Sequence, residues 1–322
     1  MLRSAPHEAD PKLTPSARLT LAAAPRALRD NAADSVRGIL IVVVAYIVLT
    51  AGDLAAKWAL VPAGVAALMI GRGLAGAATV GALAVFERDL KRLAPVRWKL
   101  IAVRSTLHAG VSLSWYLAWQ VVPLADSYAL GFTAPLIMTL LAVPMLGERI
   151  RWRRILSTLL GFSGVLLMVR PGSSLWQPTV LLLAPGIFFM AITRIMTRQL
   201  STTETAEALT FWLLIGHIPA GLLLLAAGFP GPSTLAADVL FALFLLGALN
   251  GIAHWLMARA YALAPIGAVA PYEYTMLIWG AAGAYLLLGE VPGWDSMAGA
   301  AVVAAAGLYN LHRERLRRAQ AA

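Results

Sequence analysis

The chain contains no cysteine, which removes disulfides, thiolate metal sites and cysteine nucleophiles together. Charge is scarce as well: 13% of the 322 residues are Asp, Glu, Lys or Arg against 60% hydrophobic, and the mean hydropathy is +0.75. So few charges cannot cover a soluble surface, and the apolar excess belongs in lipid. No P-loop, HExxH, GxSxG or DDxxD-like cluster occurs, and the loops are too short for a nucleotide-binding or catalytic domain. That argues against a primary pump and leaves a membrane-embedded enzyme as a minor reading. Barrel-like period-2 alternation is also missing, so each crossing is expected to be a helix that satisfies its own backbone. The first 35 residues lack the apolar core of a signal peptide and read as a disordered cytoplasmic tail. Gly71-Arg-Gly-Leu-Ala-Gly76 matches a dinucleotide fingerprint in letters only, because it lies in the middle of an apolar stretch without a preceding strand. Close helix packing explains its small residues better, as it does Gly247 and Gly251, whose repeat equivalents are Ser105 and Ala109.

What is present is a repeat. At an offset of 142 residues, Pro123 matches Pro265, Thr133 matches Thr275, Leu146-Gly147-Glu148 matches Leu288-Gly289-Glu290 and Trp152 matches Trp294. Ten apolar stretches long enough for a hydrocarbon core of roughly 30 Å follow in order: residues 37–57, 62–86, 100–121, 125–146 and 154–170, then 178–196, 207–227, 236–259, 266–288 and 295–311. Arg149, Arg151, Arg153 and Arg154 follow the first Gly-Glu, whereas Val291 to Asp295 after the second carries no cation. Cationic loops stay in the cytoplasm, so the two halves are expected to cross in opposite senses. The tail cations, five in the loop 87–99, Arg194, Arg198 and four after His312 all fall on one side, against Lys57 and Arg170 on the other. Both termini are therefore expected in the cytoplasm, and the net charge of +10 needs no nucleic-acid partner. The expected division is a tail at 1–35, repeats at 36–172 and 178–312, and a basic tail at 313–322.

Polar residues within the stretches are the candidates for chemistry. His108, Ser112, Trp115 and Trp119 recur at i, i+4, i+7 and i+11, one helical face; the offset turns them into Asn250, His254, Met257 and Tyr261, again one face. In an inverted repeat the two faces look onto one axis and either line a cavity or hydrogen-bond between helices. Ionisable groups near the midplane cost on the order of 2.5–3.5 kcal/mol and need a partner or a task. Arg72 and Glu273 are the sharpest: Glu273, between Tyr272 and Tyr274, would bind an amine or a proton and Arg72 a carboxylate, or the two serve ion pairs, Arg72 with Glu273 or with Asp53. Asp53 and Lys57, at i and i+4, are placed to pair with each other, and Arg104 to snorkel. Pro135 and Pro271 would free carbonyls inside helices. No metal ligand set and no cofactor motif is found.

Pro123-Leu-Ala-Asp-Ser127, Phe132-Thr-Ala-Pro135, Leu146-Gly-Glu-Arg149, Gly161-Phe-Ser-Gly-Val165 and Arg170-Pro-Gly172, together with Ala264-Pro265, Pro271-Tyr-Glu-Tyr-Thr275 and Leu288-Gly-Glu-Val-Pro292, resemble the two EamA domains of the drug/metabolite transporter superfamily. The resemblance spans about residues 36–312. It implies an all-α membrane protein of ten helices, two inverted five-helix repeats around a central cavity, moving a small molecule across the bacterial inner membrane by alternating access. It also adds weight to Asp53, Lys57, Arg72 and Arg104, and a monomer suffices for such a fold. Members of the superfamily carry amino acids, riboflavin or S-adenosylmethionine. The aromatic residues Trp115, Tyr116, Trp119, Tyr261, Tyr272 and Trp279, with a charge of each sign, lead to the expectation of an amino-acid exporter, including aromatic amino acids. An uptake carrier for riboflavin or S-adenosylmethionine is the alternative, and a receptor or enzyme without flux is the third.

Overall fold

The computed structural model describes residues 32–146, 152–168, 178–234, 236–264, 269, 272–273, 275–291 and 293–321. They form α1 (Ala32–Phe86), α2 (Trp98–Trp119), α3 (Leu124–Gly131), α4 (Ala134–Leu146), α5 (Trp152–Met168), α6 (Leu183–Leu200), α7 (Ala206–Ile215), α8 (His217–Ala226), α9 (Ala237–Leu263), α10 (Thr275–Leu288) and α11 (Trp294–Ala321). Short 3₁₀ turns at Leu90–Leu93 and Pro178–Leu182 lead into α2 and α6. No strand occurs among the described residues. Among the described residues, helices fall within each of the ten apolar stretches, and those over Val36–Phe86, Val180–Leu200, Ala206–Ala226 and Ala237–Leu263 are apolar and long enough to cross a membrane.

α1 contains two crossings. Its 55 residues would reach on the order of 80 Å if straight, far more than a bilayer core, but Gly64 leaves helical geometry at φ 74°, ψ 162° just after Pro62. A positive φ suits glycine, and the proline removes a helical donor at the same bend. The Pro62 carbonyl accepts from both the backbone N–H and the hydroxyl of Ser233, each at 2.9 Å. Past the bend the chain doubles back, as its contacts with α9 show: Gly38 lies against Ala264, Gly52 against Asn250, then Gly71 against Leu243 and Gly76 against Gly247. The first arm is thus antiparallel to α9 and the second parallel to it.

Gly71, Gly76, Gly247 and Gly251 meet one another in this crossing, so the fingerprint-like letters serve helix contact. The equivalent crossing in the other half sets Ser105 of α2 against Gly216, where the seventh stretch divides into α7 and α8. Arg259, near the end of α9, pairs with Glu87 at 3.3 Å, at the end of the bundle where α2 starts. The equivalent helices α2 and α9 therefore run in opposite directions, as an inverted repeat requires. α5 packs on α11, with Gly164 against Gly299 and Val303. Outward positions such as Val61, Leu286 and Leu287 are exposed and apolar, a lipid-facing surface.

Several boundaries differ from the sequence expectation. α1 begins at Ala32, inside the expected tail, and α11 continues through the basic residues to Ala321; residues 1–31 lie outside the described ones. The fourth stretch breaks at Phe132 and Thr133, where the Thr133 hydroxyl donates to the Leu130 carbonyl at 2.8 Å. Pro135 therefore sits in the first turn of α4, where its missing N–H costs nothing, rather than inside a helix. Residues 147–151 and 169–177, Pro271 and Tyr274 lie outside the described residues, and with them Glu148, Arg149, Arg151 and Arg170.

Candidate functional site

One cavity lies between α1, α2, α3, α6 and α9, with Glu273 in its wall. The first stripe, His108, Ser112, Trp115 and Trp119, lines it in full, and His254, Met257 and Tyr261 of the second stripe line it too. His108 and His254 meet edge to face at 4.8 Å between ring centroids. Asn250 is the exception. It is fully buried against Gly52 with its amide donating to the Leu246 carbonyl at 2.9 Å, which makes it a helix-packing residue outside the cavity. Tyr272 and Trp279 do not line it either; Trp279 is 39% exposed on the outer face. Tyr116, Tyr128 and Phe132 complete an aromatic wall in which Trp119 lies 5.6 Å from Tyr116 and 5.9 Å from Trp115, and Trp115 lies 6.2 Å from Tyr128.

The charges are arranged differently from either expected pairing. Glu273 is paired with Arg194, which reaches both carboxylate oxygens through one guanidinium nitrogen; both residues are buried. Arg72 donates to the Tyr116 hydroxyl at 3.1 Å and to Nε2 of His254 at 2.9 Å, with Nε2 of His108 at 3.5 Å. A guanidinium only donates, so these imidazole Nε2 atoms must accept and their ring protons sit on Nδ1. Asp53 accepts from the Tyr128 hydroxyl at 2.9 Å and makes no ion pair with Arg72 or Lys57. Lys57 instead donates to the carbonyls of Trp119 (2.6 Å) and Val122 (2.9 Å), at the C-terminal end of α2, and pairs with Glu290 at 3.2 Å. Free carbonyls at a helix end and the Glu290 carboxylate together outweigh one carboxylate a turn away on the same helix. Arg104 does not snorkel: it is 4% exposed, and donates to the Thr197 hydroxyl and the Leu209 carbonyl, each at 2.8 Å.

Sequence reasoning missed Arg194, counted above as a loop cation. The available signal was its face on α6, where Met190, Thr193, Arg194 and Thr197 all line the cavity, the i, i+3, i+4, i+7 pattern of one helical stripe. Arg194 is also one residue away from the repeat equivalent of Asp53. His217 was missed as well. It stands behind the cavity, holding the Leu213 carbonyl through Nδ1 at 2.8 Å and facing the Ser112 hydroxyl through Nε2 at 2.9 Å. Among the described residues no group of three or more His, Cys, Asp or Glu could hold a metal ion.

Both ends of the bundle are tied across the repeats. At one end Glu290 pairs with Lys57 and caps α3 by accepting from the Leu124 N–H at 2.8 Å. At the other, Glu207 is buried and accepts from Trp255 Nε1 at 2.9 Å, with Arg92 and Arg259 each at 3.4 Å. Arg92 and Arg259 also pair with Glu87. Glu207→Gln is expected to loosen this end by at least about 1 kcal/mol, a shift of roughly fivefold or more in the open population. In the naturally cysteine-free chain, Ala258→Cys in the cavity wall should then react faster with a maleimide applied from the side of the 87–97 loop. An unchanged labelling rate would mean that the network does not restrain that end.

The EamA-like transporter family matches the chain twice, at residues 36–170 and 177–311. The S-adenosylmethionine uptake transporter of Rickettsia prowazekii is 26% identical over 202 residues, 63% of this chain and 68% of that protein. The riboflavin transporter of Rhizobium johnstonii is 31% identical over 203 residues, 62% and 66% of the two chains. The riboflavin transporter of Brucella anthropi is 26% identical over 266 residues, 81% and 94%. A crystal structure with 16% identity superposes at a TM-score of 0.64, covering 88% of this chain and 98% of the other, a likeness of fold.

Proposed function

Because the chain belongs to the EamA-like transporter family, we propose that it carries a small metabolite with a planar heteroaromatic body, of the S-adenosylmethionine or riboflavin type, across the bacterial inner membrane. The observation that carries this reading is the aromatic wall of the buried cavity, Trp115, Tyr116, Trp119 and Tyr128, with rings 5.6–6.2 Å apart. Planar rings stack against such surfaces, and ligand pockets commonly combine aromatic walls with a few polar groups. The family's members are transporters, so the polar cluster binds and releases rather than catalyses. Amino-acid export, the first expectation from sequence, gives way to the alternative, because the relatives described above are named for S-adenosylmethionine and riboflavin.

The free space in the cavity is about 100 Å³, below the roughly 300 Å³ at which small-molecule pockets begin. Entry of substrate therefore requires the walls to part, and the charge networks at both ends are the contacts that would have to yield. The clustering of cations in the 87–99 loop supports a cytoplasmic position for that end and for both termini. The test is counterflow in proteoliposomes preloaded with unlabelled compound. Labelled S-adenosylmethionine or riboflavin is expected to accumulate transiently, and labelled amino acids are not. Accumulation of amino acids alone would overturn the proposal.

A further inference from the structure

The polar groups of the cavity are satisfied unevenly. Arg194 is neutralised by Glu273, and Arg104 is held by Thr197 and the Leu209 carbonyl. Arg72 is 5% exposed, yet its partners are a tyrosine hydroxyl and imidazole nitrogens, all neutral, and its Nε has no hydrogen-bond partner. The indole N–H groups of Trp115 and Trp119 are also buried without acceptors. Among the residues lining the cavity, the buried side-chain polar atoms left unpartnered are these three, and each is an N–H donor. They belong to one contiguous group, because Tyr116 bonds Arg72 and touches Trp119, which touches Trp115.

A buried guanidinium hydrogen-bonded only to neutral groups, with its nearest acid Asp53 in electrostatic reach but making no salt bridge to it, is costly, and so are donors without acceptors. The cost is removed when an anionic group arrives, which makes the cluster a site for the acceptor-rich end of a substrate. Asp53 lines the same cavity, accepts its one hydrogen bond from the Tyr128 hydroxyl and faces Arg72 without a salt bridge, since Lys57 is drawn away to the end of α2. A phosphate would meet repulsion from that carboxylate. A carboxylate accompanied by an ammonium would be matched at both ends, carboxylate to guanidinium and ammonium to Asp53.

We infer that Arg72, Trp115 and Trp119 bind a carboxylate and Asp53 the adjacent ammonium, so that the cavity selects a substrate with a free α-amino-acid end on its heteroaromatic body. The inference rests on the carrier reading above and separates its two candidates: S-adenosylmethionine has such an end, and riboflavin does not.

The test measures the purified protein's affinity for S-adenosylmethionine, for S-adenosylhomocysteine, for methylthioadenosine, which lacks the amino-acid end, and for riboflavin, alongside counterflow of each. A site built around buried donors rejects an analogue that leaves them unpaired. The compounds with the amino-acid end should therefore bind at least about tenfold more tightly than methylthioadenosine or riboflavin, and Arg72→Met should collapse that ratio. The wild-type ratio stands by itself if the variant does not fold. Equal affinity for methylthioadenosine or riboflavin, or a ratio unchanged in Arg72→Met, would overturn the inference and leave the carrier reading intact. Binding and flux of none of the compounds would overturn the carrier reading and this inference with it.

Discussion

Glu273→Ala is expected to cost the protein about 3–5 kcal/mol, because it leaves Arg194 buried without its counter-charge. Glu273 is 4% exposed and Arg194 8%, and one guanidinium nitrogen holds both carboxylate oxygens. The contact ties α6 to the short 3₁₀ segment at Tyr272 and Glu273 that precedes α10. Removing the acid does not return Arg194 to water, since Arg194 is itself buried within the bundle. Arg194→Ala should be comparably harmful for the converse reason. The double variant Arg194→Met with Glu273→Met should recover most of the loss, as apolar replacement of a whole buried pair commonly does. Thermal unfolding in detergent, followed by tryptophan fluorescence, gives the coupling energy of the cycle. Single variants as stable as the wild type would remove the structural role. If Glu273→Gln then also abolished pH-driven flux while exchange persisted, the proton-carrying role expected from sequence would be restored.

How much of this was legible in advance follows from what periodicity encodes. A spacing of 3.6 residues tells which side chains share a helix face, and seven of the eight stripe residues do share the wall of one cavity. It does not tell which neighbour that face meets. Asn250 lies at the N-terminal end of its stripe, where α9 already presses on Gly52, and so it packs instead of lining. Trp279 was chosen for its aromatic character alone, and its face of α10 looks outward. The pairing of Arg194 with Glu273 spans 79 residues, and that of Lys57 with the Trp119 carbonyl spans 62. Such contacts arise from the tertiary fold and leave no local trace. The local rule that pairs Asp53 with Lys57 loses to the Trp119 and Val122 carbonyls and the Glu290 carboxylate, which only the folded bundle brings near.

Gly247→Leu is expected to abolish folded protein, and Gly247→Ala to cost about 1–3 kcal/mol, the usual range for overpacking. A Cβ at Gly247 would stand 2.6 Å from the Ala75 Cβ, 2.8 Å from the Gly71 carbonyl oxygen and 2.8 Å from the Gly76 nitrogen. Two of those atoms are backbone, so no rotamer change relieves the clash and α9 has to separate from the second arm of α1. Arg72 lies within that same crossing, between Gly71 and Gly73, and its hydrogen bond to His254 spans the gap that would open. The damage should thus reach the cavity: where Gly247→Ala still folds, it is expected to weaken ligand binding as well as stability. Gly81 provides the comparison. It lies on the same arm, and the nearest atom to an added Cβ is Phe211 Cε2 at 3.9 Å, an ordinary contact. Gly81→Ala should therefore be neutral or stabilising by about 0.4–1 kcal/mol, through lower entropy of the unfolded chain. Monodispersity on size exclusion and the thermal midpoint of the three variants decide the matter. Wild-type behaviour of Gly247→Leu would show that α9 and α1 do not touch through their glycines, and the placement of Arg72 beside His254 would fall with that contact.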